Sequence, residues 1–319
     1  MGPLEHENEG CGIHPGQAGG GQDPHGKAPA KVNLHLEVLR QRHDGFHEIE
    51  TILQAVSLFD EVRVTLVEQY QGGEPDIELE LGKGTAGVPA DETNLCWRAA
   101  RTFCKEMKVS GLLRIRLDKD IPVAAGLGGG SSDAAAVLVA CDRLFKTHLE
   151  PGELEKMAVP LGSDVPFFIR GGTALGRGTG THLDPLPPVQ TGTFLIVKPA
   201  MELKTAEVYR KLKMGLTVNS TKVNIRVIKP LLVRFPQKGW PGFNRLEDVV
   251  LPSQPVLQRL VLELKHLAPV AMLSGSGSAV MAAFTEGYQI DDIALEYENA
   301  GFYVRVVGPH TAGVEITDD

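Results

Sequence analysis

The sequence predicts an α+β fold in two domains, and three observations carry that prediction. Segments with the alternation of half-buried strands and segments with helical spacing both recur, without the regular strand–helix–strand rhythm of a doubly wound sheet. Near residue 176 the texture changes to short strand, turn and helix segments. The chain has 319 residues, 42% of them hydrophobic, which suits two cores with a cleft better than one. The expected division is a tail over 1–26, a first domain over 27–175 and a second over 176–319.

Residues 1–26 hold eight glycines and hardly any branched apolar side chains, so burial would not offset the entropy lost on ordering them. A disordered tail is expected there, and the irregular spacing of His6, His14 and His25 does not suit a metal site. Order is expected from residue 28, where APAKVNLHLEVL alternates Val32, Leu34, Leu36 and Val38 with Asn33, His35 and Glu37. The next stretch, QRHDGFHEIETILQAV over 41–56, opens with an Asp-Gly turn signal and reads as a loop returning into structure. Strands follow at 62–67 and 76–81. Leu95, Ala99, Phe103 and Met107 then recur at helical spacing, with Asp91 or Thr93 as the expected cap.

LLRIRLDKDIP (112–122) alternates again and delivers the chain into PVAAGLGGGSSDAAAVLVA, 122–140. Ser131 and Ser132 are expected to cap the helix through DAAAVLVACDRLF. A second helix covers PGELEKMAVPL, and LGSDVPFFIRGGTAL follows. Beyond 176 come a strand at TFLIVKP, a helix at TAEVYRKL, a Pro-rich middle, a helix at QPVLQRLVLELKHL, and strands around VAMLS, AVMAAF and YVRVV.

Composition excludes several classes of function. A net charge of −8 argues against a nucleic-acid partner, which would need a surplus of Lys and Arg to displace counterions. No stretch approaches the roughly 18 apolar residues of a membrane span. Nor do the first residues show a basic-then-apolar export signal. The four cysteines, Cys11, Cys96, Cys104 and Cys141, are too scattered for a zinc set and too few for a disulfide framework. A cytoplasmic protein without nucleic-acid or membrane partners, a monomer or weak homodimer, is expected.

The glycine stretch points to chemistry. Backbone N–H groups at a helix start lack intrahelical partners and sit at the positive end of the macrodipole. Gly126, Gly128, Gly129 and Gly130 allow close backbone approach, and Ser131 and Ser132 add hydroxyls, so the stretch suits a polyphosphate. A plain flexible turn before a well-capped helix is the competing reading. No Lys lies between 122 and 140, and the glycine spacing is not G-x-G-x-x-G, so neither common phosphate-loop pattern applies.

This motif resembles the second motif of the GHMP superfamily of small-molecule kinases, which includes galactokinase, homoserine kinase, mevalonate kinase and phosphomevalonate kinase. APAKVNL (28–34) resembles its first motif and LSGSGSAV (273–280) its third. Together with RHDGFHEIETILQ and LGSDVPFFIRGGTAL, they are similar to the 4-diphosphocytidyl-2-C-methyl-D-erythritol kinases over nearly everything after residue 27. The resemblance implies a ribosomal S5 domain 2-like N-terminal domain, a ferredoxin-like C-terminal domain, and ATP-dependent phosphorylation of the 2-hydroxyl of a CDP-linked methylerythritol.

It also implies roles. Pro122, Val123, Ala124, Ala125, Gly126, Leu127, Gly128, Gly129, Gly130, Ser131 and Ser132 would bind ATP, with Mg2+ accompanying the nucleotide. Lys31 would stabilise charge near the γ-phosphate, and Asp164 would accept or orient the acceptor's hydroxyl proton. Asp133 is a rival base, but a carboxylate aimed at polyphosphate would repel it, so Asp133 is expected to face away. His47 would pair with cytosine while Phe46, where the family usually has Tyr, stacks on it. Tyr209 would supply the facing wall, Asn33 and Thr205 polar contacts, and Ser274, Gly275, Ser276 and Gly277 a cover for the substrate diphosphate or the phosphate site. His43 and His47 also have H-x-x-x-H spacing, but Asp44-Gly45 makes a turn there, and no metal site is expected. FNRLE (243–247) departs from the family's Asn-Asp and leaves the role of Arg245 open.

Overall fold

The computed structural model describes residues 23–212 and 225–318. In chain order its elements are β1 (Pro24–Gln41), β2 (His47–Gln69), β3 (Asp76–Leu81), α1 (Leu95–Met107), β4 (Gly111–Asp118), α2 (Gly129–Phe145), α3 (Pro151–Ala158), α4 (Val165–Arg170), β5 (Thr173–Gly178) and β6 (His182–Pro185). The chain continues through β7 (Thr193–Lys198), α5 (Thr205–Lys211), α6 (Ile225–Leu232), α7 (Glu247–Val250), α8 (Pro255–Leu267), β8 (Val270–Leu273), β9 (Val280–Phe284), α9 (Asp291–Asn299), β10 (Tyr303–Val307) and β11 (Glu315–Asp318).

Two sheets result. The first runs β11-β1-β2-β4-β3, with β5 joined to β2 and β6 to β5. The second runs β10-β7-β9-β8, every pair antiparallel. With α8 and α9 as crossovers it forms the β-α-β-β-α-β unit of a ferredoxin-like domain, as the family resemblance implies. No described helix is long and apolar enough to cross a membrane.

Several expectations need correction. Residues 24–26 belong to β1 rather than to a tail, because His25 and Gly26 pair on both sides, with β11 and with β2. The rest of the expected tail, 1–22, lies outside the described residues. The stretch from His47 is not a loop but the start of β2, which pairs with β1, β4 and β5. Its residues 49–56 are buried on both faces, polar Glu50, Thr51 and Gln54 included, so the alternation that marks a half-exposed strand is missing. The boundary expected at 175/176 falls inside β5, which hydrogen-bonds to β2 and carries the first sheet on to Pro185. The chain also returns to that sheet through β11.

Two caps differ as well. Asn94 caps α1 by accepting the Cys96 N–H at 2.8 Å, while Asp91 is used in a local turn with Thr93. Helix α2 begins directly at Gly129, after Gly128 at φ 76, so Ser131 and Ser132 lie within its first turn.

The core follows from small residues on α2. Ala134, Ala135, Ala136 and Ala140 are fully buried and let the helix settle closely on α1, β1 and β2. The other side of β1 packs Ala30, Val32 and Leu34 into a cluster with Phe194, Ile196 and Met281 of the second sheet. β1 is thereby shared between the two cores. Leu257, Leu260, Val261 and Leu264 of α8 and Ala294 and Tyr297 of α9 close the far face of the second sheet.

A buried ionic group ties the start of α2 to the first sheet. Lys119 donates to Asp60 and to Asp133, both at 2.5 Å, and Asp60 also accepts the Asp120 and Ile121 N–H groups at 2.7 and 2.8 Å. Burial opposes the Lys119 charge, but the two carboxylates outweigh it and hold its pKa above the ordinary lysine value. Burial, with Asp60 as neighbour, pushes Asp133 upward.

Asp60→Asn is expected to lower unfolding stability by about 3 kcal/mol, because it leaves Lys119 half-paired in the interior; urea denaturation measures this. Gly126→Ala is expected to cost at least ~2 kcal/mol, since Gly126 has φ +78 and an added Cβ would lie 2.0 Å from the Ser274 carbonyl oxygen. Gly130→Ala, with nothing nearer than 4.0 Å, is expected to leave stability unchanged or raise it by up to about 1 kcal/mol.

Candidate active site

One cleft of about 1080 Å³ is lined from both halves of the chain. Its floor is the loop from Pro122 to Ser131, every residue of which faces it. Ala124, Gly126 and Gly128 have φ of 52, 78 and 76, so the loop winds through left-handed backbone before entering α2. Successive amides in such a path converge on one side and make an anion-sized cradle at a helix start. Ser132, expected in the same set, is fully buried behind the loop, and its hydroxyl has no partner among the described residues.

The loop is held from two directions. From β1, the Lys31 backbone N–H donates to Leu127 O at 2.9 Å. From the second sheet, the turn between β8 and β9 closes on it: Ala279 N–H donates to Ala125 O at 3.0 Å, and Ser274 Oγ donates to Gly126 O at 2.9 Å. The Ser274 hydroxyl is spent on that contact, and Gly277 packs toward Leu203 and Leu273, so neither lines the cleft; Gly275 and Ser276 do. Asn244 holds the turn from behind, donating to Leu273 O at 2.9 Å and Gly275 O at 2.7 Å. Arg245 has a structural task, a two-pronged pair with Glu37 at 2.8 Å on each prong and a contact to Asp248 at 2.9 Å.

Lys31 sits above the loop, with a side chain only 4% exposed. Its Nζ donates to Asn33 Oδ1 at 2.7 Å, Asn33 Nδ2 donates to Thr51 Oγ1 at 2.7 Å, and Thr51 donates to the His35 carbonyl at 2.8 Å. This chain of bonds aims the ammonium. Facing it at 3.8 Å is Asp164 Oδ2, with 38% of its side chain exposed to the cleft. Asp164 precedes α4 without capping it through its side chain. Phe167 and Phe168 anchor that short helix in the core, and Phe168 abuts Gly128 beneath the loop. Burial lowers the Lys31 pKa, and the Asp164 charge partly opposes the shift.

The opposite end of the cleft is aromatic. The His47 and Tyr209 rings lie 5.1 Å apart and tilted by 37°. Tyr209 thus packs against His47, and both rings line the cleft with Phe46. Asp44 Oδ1 accepts the Phe46 N–H at 3.1 Å in the turn, and the Phe46 ring is left 60% exposed. Burial lowers the His47 pKa, which keeps the ring neutral near pH 7. Burial and then the Asp164 charge raise that of Tyr209. Thr205, on the same helix, shares a hydrogen bond of 2.8 Å with Ser276.

The sequence reading missed part of the lining. Val88, Pro89, Asn94 and Leu95 wall the cleft beyond the loop, and Lys119 and Thr51 contribute from β4's end and β2. The only signals there were a turn and a helix start. Asp133, expected in the first turn of α2 and facing away, lies just past that turn and lines the cleft, with its carboxylate engaged by Lys119.

This arrangement matches known proteins in sequence and shape. The model of the GHMP kinases N-terminal domain matches residues 94–172, which span the loop and Asp164. The 4-diphosphocytidyl-2-C-methyl-D-erythritol kinase of Alkaliphilus metalliredigens is 37% identical over 262 residues, covering 81% of this chain and 87% of that one. A crystal structure of a 4-(cytidine 5'-diphospho)-2C-methyl-D-erythritol kinase superposes with a TM-score of 0.70 at 33% identity, over 89% of this chain and 99% of that one. Homoserine kinase from Cytophaga hutchinsonii shares the fold, with a TM-score of 0.66 at 18% identity over 96% of this chain and 100% of its own. Identity of this extent, across nearly the full length of the relatives, makes the chain a member of the 4-diphosphocytidyl-2-C-methyl-D-erythritol kinase family within the GHMP kinases.

Proposed function

We propose that this protein transfers the γ-phosphoryl group of ATP to the 2-hydroxyl of 4-diphosphocytidyl-2-C-methyl-D-erythritol, giving the 2-phosphate and ADP, a step of the non-mevalonate isoprenoid pathway. The observation that carries the reading is the gathering of a backbone phosphate loop, the Lys31–Asp164 pair and an aromatic wall in one cleft.

Each part has a physical task. The amides of the loop hold the ATP phosphates, and the apolar surface of Val88, Pro89 and Leu95 suits the purine ring. Mg2+ arrives on the nucleotide and is part of the donor; no cluster of three or more His, Cys, Asp or Glu among the described residues is placed to hold a metal ion. The acceptor hydroxyl lies between Asp164 and the γ-phosphorus. Its oxygen attacks phosphorus as the bond to the β,γ-bridging oxygen breaks, and the proton passes to the Asp164 carboxylate. The Lys31 ammonium stabilises the charge spread over the transferring group. At the far end, neutral His47 pairs with the edge of the cytosine, and Phe46 offers a free face for stacking. Asn33, Thr205 and Ser276 line the path between the two ends. A cytoplasmic monomer or weak homodimer that needs no nucleic acid completes the reading; the net charge of −8 supports the last point.

ATP-dependent ADP release by the purified protein tests it, with the CDP-linked alcohol compared against mevalonate, homoserine and galactose. Turnover confined to the cytidine-linked substrate is expected, and preference for another acceptor overturns the reading. Asp164→Asn is expected to lower kcat by about 10²–10⁴-fold with ATP binding retained; near-normal turnover contradicts its role as base. His47→Ala is expected to raise KM for the acceptor by about tenfold or more. Because burial lowers the His47 pKa from the ordinary imidazole value, wild-type kcat/KM for the acceptor should hold near neutral pH and fall in acid as the ring gains a proton. In His47→Ala that acid limb should disappear.

A further inference from the structure

The reading above puts two polyanions in one cleft, ATP and the diphosphate of the acceptor, and the lining offers three Lys or Arg side chains, Lys31, Lys119 and Arg210. Two are committed. Lys31 is buried, bonded to Asn33 and faced by Asp164. Lys119 is locked between Asp60 and Asp133 with 4% of its side chain exposed. Arg210 is different: it is exposed and has no ion-pair or hydrogen-bond partner among the described residues.

Its position is also specific. Arg210 follows Tyr209 on α5, and Tyr209 packs on His47 at the base-binding end. Thr205, one turn earlier on that helix, bonds to Ser276 beside the loop. In a nucleoside diphosphate ester the diphosphate joins the base-bearing half to the alcohol, so it must span from the His47–Tyr209 wall to the Lys31–Asp164 pair. That path runs along α5. A guanidinium on it presents paired N–H donors that match two phosphate oxygens. In a chain of net charge −8, a local cation at this mouth also offsets long-range repulsion of an anionic substrate.

We infer that Arg210 grips the diphosphate of the bound substrate and so makes the site select nucleoside diphosphate esters over uncharged nucleosides. The inference rests on the proposed function, and its test separates the two.

With the nucleotide site filled by a non-hydrolysable ATP analogue, calorimetry would give the affinities for CDP and for cytidine of wild type, Arg210→Gln, Arg210→Lys and Lys211→Gln. Lys211 carries the neighbouring charge on α5 but does not line the cleft, and it controls for loss of charge alone. Wild type should prefer CDP by about tenfold or more, and the preference should weaken with added salt. Arg210→Gln should lose most of the preference while holding cytidine as before, Arg210→Lys should keep part of it, and Lys211→Gln should match wild type. A wild type without preference, an Arg210→Gln that retains it, or an equal loss in Lys211→Gln overturns the inference. A wild type that binds neither CDP nor cytidine overturns the functional reading itself.

Discussion

The loop over 122–131 and the turn between β8 and β9 meet as bare backbone. A Cβ on Gly126 would lie 2.0 Å from the Ser274 carbonyl oxygen and 3.1 Å from the Gly277 nitrogen, so no other residue fits without moving one of them. Around that contact Ala279 donates to Ala125, Ser274 to Gly126, and Lys31 to Leu127. The glycine loop is thus the seam between the two sheets. Its shape depends on β1 below and on the third motif above, which is why motifs about 150 residues apart in sequence act as one site.

The seam faces the cleft mostly with neutral groups. Burying free lysines in front of polyphosphate would carry a desolvation cost, whereas amides at a helix start are fixed in place and already dipolar. The charges that are buried nearby are restrained instead. Lys119 is neutralised by two aspartates under the start of α2, and Lys31 is aimed by Asn33 and Thr51. Asp164 is positioned by the two phenylalanines of α4, so the geometry of the Lys31–Asp164 pair rests on ordinary core packing.

The readable parts of the sequence were those with local causes. The glycine run and the alanine-rich helix behind it mark the loop and the start of α2 directly, and the pattern of strands and helices gives the α+β class, whereas the ferredoxin-like half came from the family resemblance. β2 was misread because burial on both faces erased its alternation, leaving the Asp-Gly turn as the loudest signal nearby. The caps at Asn94 and Gly128 were misjudged by one to four residues, since several polar residues cluster at each start and only backbone geometry chooses among them. Asp60 and Lys119 were invisible because their pairing is made across two strands and a helix, 59 residues apart in sequence. The contact of Tyr209 with His47 was not legible: the Asp44 turn that sets the Phe46 direction can be read from the sequence, whereas the approach of α5 cannot.

The most direct measurement is a structure of the protein with a non-hydrolysable ATP analogue and the CDP-linked alcohol bound together. The account predicts the γ-phosphate within hydrogen-bond reach of the amides over 128–131 and of Lys31 Nζ, with the acceptor's 2-hydroxyl against Asp164 and its cytosine at His47. Phosphates seated elsewhere in the cleft, or an acceptor hydroxyl out of reach of Asp164, would contradict it.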